Sequence, residues 1–120
     1  MKDKVLAYFE AFSNKNLESL SNMYAEDVSL VDWDVTLYGK DDVLRSNKEL
    51  FDKMSVIEIK SYEPLIYASN NALACEIEIK LVDKGGSITF LGVVDVVEFN
   101  EEGKILQIRA YLGNEELTGV

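Results

Sequence analysis

The chain has 120 residues, 48% apolar and 28% charged, the balance of one soluble globular domain and not of a disordered chain. It contains no histidine and a single cysteine, Cys75, which excludes Ser-His-Asp and Cys-His nucleophilic machinery, histidine-ligated metals and an internal disulfide. With 22 acidic against 12 basic residues, a net charge of −10, it repels phosphate backbones and anionic lipid, so neither nucleic acid nor membrane is expected as a partner.

The opening Met1-Lys2-Asp3-Lys4 leads straight into an amphipathic segment, not into the apolar region of a signal peptide. No apolar run approaches the roughly 18 residues of a membrane span, and a lone cysteine suits a reducing compartment. A cytoplasmic protein is expected. Val5, Tyr8, Phe9 and Phe12 recur at helical spacing and predict a first helix from about Asp3 to Ser13. A second, short helix follows Asn16 as its N-cap, with Leu17, Leu20, Met23 and Tyr24 on one stripe. Val28 to Trp33 alternates as a short strand. Tyr38-Gly39-Lys40 reads as a turn, and a third helix starts at Asp41 or Asp42, with Val43, Leu44, Asn47, Leu50, Phe51 and Met54 facing inward.

From residue 55 the pattern is β. A strand over Val56 to Tyr62 precedes a bend at Pro64. Leu73, Cys75, Ile77, Ile79 and Leu81 alternate with polar neighbours as a half-buried strand, and Asp83-Lys84-Gly85-Gly86 turns the chain. Ile88 to Phe99 is almost continuously apolar. Asn100 to Gly103 turns again, Lys104 to Leu112 is the last strand, and the polar tail from Gly113 is expected to be loose. Three helices followed by long strands joined by tight turns predict an α+β domain spanning residues 1–120: three N-terminal helices on a curved antiparallel sheet, cone-shaped and able to enclose a pocket.

Three residues are out of place in this scheme. Asp95 stands in Leu91-Gly92-Val93-Val94-Asp95-Val96-Val97, a strand apolar on both faces. An ionised carboxylate there is costly, and the usual escape is a raised pKa and a neutral acid that can donate a hydrogen bond. The alternatives are a sheet-edge acid or a structural ion pair. Asp32 shares the parity of Val28 and Leu30 and is followed by Trp33; it is either a candidate general base or a loop acid capping the next segment. Tyr8 lies on the inner helical face, where its hydroxyl serves a site or bonds the backbone. Lys84-Gly85-Gly86 lacks the phosphate-loop pattern. Asp41-Asp42 and Glu101-Glu102 read as solvated acids, and Cys75 as core.

A tyrosine in the first helix, an aspartate ending the first short strand and an aspartate inside a later long strand together resemble Δ5-3-ketosteroid isomerase. That family belongs to the superfamily of nuclear transport factor 2 and the SnoaL-like polyketide cyclases. The resemblance covers nearly the whole chain. It runs from Val5 through Tyr24-Ala25-Glu26-Asp27 to Asp32, and from Gly92 to Phe99 and Arg109-Ala110-Tyr111-Leu112-Gly113. It implies that Asp32 is the base, and that Tyr8 and a protonated Asp95 form the oxyanion hole. It implies proton transfer through a dienolate with no metal or cofactor, an apolar small-molecule substrate such as a steroid, and a homodimer. Phe12, Phe51, Val93, Phe99 and Leu112 are then candidate walls, with Tyr24 and Trp33 beside them. Trp33 stands where these isomerases usually have proline, Asn47 where some have a supporting tyrosine, and Leu112 in place of an aromatic residue. The same scaffold also serves other cofactor-free enzymes, polyketide cyclases among them, and non-catalytic binding or dimerisation modules, and fold alone does not choose.

Overall fold

A computed structural model of the chain describes residues 1–63 and 66–118, so the bend expected at Pro64 lies outside the described residues. Helix α1 (Lys2–Ser13) and helix α2 (Leu17–Met23) come first, and Asn16 caps α2 by accepting from the Ser19 amide at 3.0 Å. Strand β1 (Tyr24–Val31) begins at the last residue expected on the α2 stripe. Tyr24 is extended, with φ −79° and ψ 140°, and reaches the same core from a strand. Strand β2 (Thr36–Tyr38) overlaps the expected Tyr38-Gly39-Lys40 turn only at Tyr38, and it folds back on β1 as a tight hairpin. Helix α3 (Lys40–Lys53) starts immediately after Gly39, whose φ of 92° is easy only for glycine. Met54, expected on the third helix, opens strand β3 (Met54–Ser61).

Strands β4 (Ile66–Ser69), β5 (Ala72–Asp83), β6 (Ile88–Phe99) and β7 (Ile105–Thr118) complete a sheet of order β2-β1-β7-β6-β5-β3, with β4 beside the first part of β5. The sheet is mixed, a correction to the antiparallel expectation: β1 runs parallel to β7. Parallel neighbours need a long connection, and everything from α3 to β6 supplies it. The helices lie against one face of the curved sheet. Val5, Phe9, Leu20, Val43 and Phe51 from the helices meet Leu73, Ile77, Val93, Val97 and Ile108 from the strands in one core.

The expected loose tail is also corrected. Strand β7 continues to Thr118, paired with β6 from Ile105↔Phe99 to Thr118↔Ile88. Its register slips between Leu112↔Val93 and Asn114↔Gly92, so Gly113 is an inserted residue, a β-bulge. A side chain at position 92 would strike the Asn114 carboxamide, and one at 113 would crowd the Gly92 carbonyl at 3.3 Å. The glycine read as a strand end is therefore a kink within the strand.

Candidate active site

Between the helices and the inner sheet face lies a cavity of about 450 Å³. Tyr8 and Phe12 of α1 line it, with Tyr24 and Leu30 of β1 and the Asp32-Trp33-Asp34-Val35 turn. Ser46, Asn47 and Leu50 come from α3, and inward residues of β3, β5, β6 and β7 supply the remaining wall.

Asp95 sits in the middle of β6, paired to Cys75 of β5 on one side and to Ala110 of β7 on the other. It is thus not an edge residue. It is 7% exposed, and among the described residues no lysine or arginine pairs with it and no side chain bonds it. Its carboxyl is pushed up to about 7, first by burial and second by the charge of Asp32. That second cause reports that the two carboxylates feel one another inside one cavity.

Topology explains their proximity. The last β1–β7 pair is Val31↔Arg109, and Ala110 comes next on β7. Asp32 follows directly on that pair and Asp95 is paired to Ala110, so the two acids stand on either side of β7, two strand spacings or roughly 10 Å apart along the sheet. Asp32 is half-buried. Its Oδ1 accepts the amides of Asp34 and Val35 at 2.7 and 2.8 Å, which closes the β1–β2 turn. The capping alternative is thus realised by one oxygen. Among the described residues Oδ2 takes no such bond, and the residue still lines the cavity.

Tyr8 is the third member. Its hydroxyl is held well above its ordinary pKa, first by burial, then by the neighbouring Tyr24 phenol and by Asp95. The Tyr8 and Tyr24 rings lie 6.4 Å apart. The Tyr24 hydroxyl donates to Oδ1 of Asn47 at 2.7 Å, with both groups buried, and burial raises the Tyr24 pKa too. A polar line thus runs from Asn47 through Tyr24 to Tyr8 and on towards Asp95. Both tyrosines remain neutral phenols, able to donate.

Of the residues expected at the site, Tyr8, Phe12, Tyr24, Asp32, Trp33, Val93 and Asp95 all line the cavity. Phe51, Phe99 and Leu112 do not, which corrects their expected place in the wall. Phe51 stands behind Phe12, edge to face at 5.0 Å between centroids. Phe99 is at the far end of β6, buried beneath Lys4. Leu112 adjoins the bulge and is 36% exposed. Cys75 is buried core, its thiol pushed up to about 11 by burial first and by Asp95 second. Glu115 was not foreseen. Ile108 and Ala110 of β7 face inward, but the bulge at Gly113 shifts the parity by one and sets Glu115 beside inward-facing Leu91, on the cavity rim. The glycine pair Gly92 and Gly113 was the available signal, since glycines within strands mark bulges.

Three helices closing a curved mixed sheet over a carboxylate-bearing cavity define the class of the nuclear transport factor 2-like α+β domains. The chain belongs to the SnoaL-like domain family, whose model matches residues 5–108. No curated protein matches it in sequence. Among solved structures it is similar to SalBIII, an epoxide hydrolase/cyclase-like enzyme described for a role in pyran ring formation in the polyether salinomycin. The two share 17% identity with a TM-score of 0.80, over 98% of this chain and 95% of that one. It is also similar to an NTF2-like protein of unknown function from Exiguobacterium sp. 255-15, at 14% identity and a TM-score of 0.82, over 92% of this chain and 98% of that one. At such identities the likeness speaks for the fold alone. No helix among the described residues is long and apolar enough to cross a membrane.

Proposed function

We propose that the chain is a cofactor-independent isomerase of the ketosteroid type, which moves a carbon–carbon double bond into conjugation with a ketone. The observation that carries the reading is the unequal acid pair in one cavity: Asp95 buried, without a side-chain partner among the described residues and protonated up to about pH 7, and Asp32 half-buried at the cavity wall. Pairs of titratable groups driven apart by their surroundings are how acid and base roles are divided. Asp32 takes a proton from the carbon between the ketone and the double bond. The electron pair left behind delocalises onto the ketone oxygen as a dienolate. Tyr8 and neutral Asp95 donate hydrogen bonds to that oxygen, and Asp32 returns the same proton two carbons away, so nothing is gained or lost overall.

An amide offers both an acceptor and a donor, so Asn47 serves the line in either sense. When Tyr24 donates to Asn47, Tyr8 can give its proton to Tyr24. When the Asn47 amide donates to Tyr24, Tyr24 can donate to Tyr8 and leave the Tyr8 proton for the substrate oxygen.

Formation of the conjugated enone from an unconjugated cyclic enone, followed by ultraviolet absorbance, tests the reading. Asp32→Asn should lose about 10²- to 10⁴-fold in rate, the range for a positioned general base. Asp95→Ala should lose about 10²- to 10³-fold, the range for one oxyanion donor. Full activity in Asp32→Asn would remove the base from the mechanism. A second reading is favoured by the likeness to the epoxide hydrolase/cyclase-like SalBIII. Here Asp32 deprotonates a substrate hydroxyl while Asp95 protonates an epoxide oxygen as the ring closes. Turnover of a hydroxy-epoxide with none of the enone would select it.

A further inference from the structure

Among the described residues, every acidic or basic side chain that lines the cavity is an acid. Asp32, Asp34, Asp95 and Glu115 line it, and no lysine or arginine does among the described residues. Several basic residues near these elements are engaged elsewhere. Arg45 and Lys48 of α3 pair with Asp42 and Asp52 on their own helix at 2.8 and 2.7 Å. Lys15 donates to the Met54 and Ser55 carbonyls. Arg109 pairs with Glu98 at 3.1 Å in the register that faces away from the cavity. Acids alone do not make a ligand site, but here they line a cavity whose walls are otherwise largely apolar. Asp95 is aimed into that cavity, 7% exposed and without a side-chain partner among the described residues. Trp33, 42% exposed, presents its indole at the same rim.

We propose that the ligand is an apolar body carrying a basic nitrogen, seated with its ammonium group at the rim near Glu115, Asp34 and the Trp33 ring. The inference rests on the proposed function only in taking this cavity as the substrate site. Carboxylates in a low-dielectric cleft focus a negative potential that draws cations and repels anions. An indole face adds attraction for an ammonium group. The apolar body then lies on Ile79, Leu81 and Leu91. Carboxylated and phosphorylated substrates are disfavoured, since among the described residues no cation lines the cavity to neutralise them.

Trp33 is the sole tryptophan, so its emission reports this site alone. The probes are adamantane-1-methylamine, adamantane-1-methanol and adamantane-1-carboxylate, which share one compact apolar body and absorb no light at the tryptophan bands. At low salt the amine should bind about fivefold or more tighter than the alcohol, and the carboxylate about threefold or more weaker, the scale of partly exposed charge pairs and cation–π contacts. Salt should shrink both ratios. Glu115→Gln should narrow the amine-to-alcohol ratio about two- to fivefold. Equal affinities, a preference for the carboxylate, an unchanged ratio in Glu115→Gln, or no response to any probe would each overturn the inference. Enone turnover is a separate measurement on a neutral substrate. Amine preference without turnover would defeat the proposed reaction and keep this inference; turnover without amine preference would do the reverse.

Discussion

Tyr24 and Asn47 show what a buried polar contact demands at the level of single residues. Each lies in the core, and the phenol donates to the amide at 2.7 Å. Removing one partner leaves the other buried without its bond. Tyr24→Phe and Asn47→Leu should therefore each cost about 1–3 kcal/mol. The double variant Tyr24→Phe/Asn47→Leu should cost less than the two added together, because no orphaned polar group remains. Urea unfolding of the four proteins measures the coupling, and strict additivity would show that the pair contributes nothing as a pair. The substitution of asparagine for a supporting tyrosine, visible in the sequence as a departure from the isomerases, thus keeps a polar anchor while changing its chemistry. Tyr8 is held by the same line, so the isomerase rate should fall in both single variants as well.

At the level of elements, the end of β7 carries a distinct consequence. Residues past Gly113 pair with β6 alone, because the β1–β7 ladder stops at Arg109. Truncation after Leu112 removes hydrogen bonds worth about 0.5–1.5 kcal/mol each. It also relieves an ordering cost of about 1–2 kcal/mol per residue. The two nearly cancel, so the urea midpoint should move little, within about 2 kcal/mol. The amine-to-alcohol ratio should narrow as it does in Glu115→Gln, and a large loss of stability would show instead that this segment seals the core. The sequence was a good guide wherever one periodicity ruled. The first and third helices, the hairpin at Asp83–Gly86 and the course of β6 all follow from spacing, as does the placement of Asp32 by parity with Val28 and Leu30, whereas a strand apolar on both faces left the direction of Asp95 open. It was a poor guide where tertiary pairing decides. A three-residue strand such as β2 carries too few residues to show alternation. The parallel β1–β7 ladder joins segments some 80 positions apart. A bulge inverts parity just where a glycine otherwise signals an end. Phe51 and Phe99 were misplaced for a related reason: an inward-facing apolar residue fills sealed core or lines a cavity with the same pattern, while Leu112 adjoins the bulge and is exposed.

For the molecule as a whole, Asp95 links the site to global stability. In the unfolded chain its carboxyl returns to the ordinary value of 3.8, while the fold holds it at about 7. The folded state therefore binds the proton more tightly, and the unfolded state carries fewer protons between these values. Stability is then greatest at the acidic end of this window and falls as pH rises from about 4 to about 7, levelling above that. The displacement corresponds to a loss on the order of 4 kcal/mol, a large share of the 5–15 kcal/mol typical of a domain. The net charge of −10 works in the same direction, since self-repulsion also grows as carboxyls ionise. Asp95→Asn separates the two contributions. It preserves shape and cannot ionise, so its stability should decline only gently over this window, and it should exceed the native chain above pH 7. Asp32→Asn should act differently: with the neighbouring charge gone, the Asp95 carboxyl ionises more readily and the decline ends at lower pH. Urea unfolding at half-unit steps from pH 4 to 8 distinguishes the three curves. A native curve that rises across the window, or one identical to that of Asp95→Asn, would show that the buried acid is already ionised and unable to donate to a substrate oxygen.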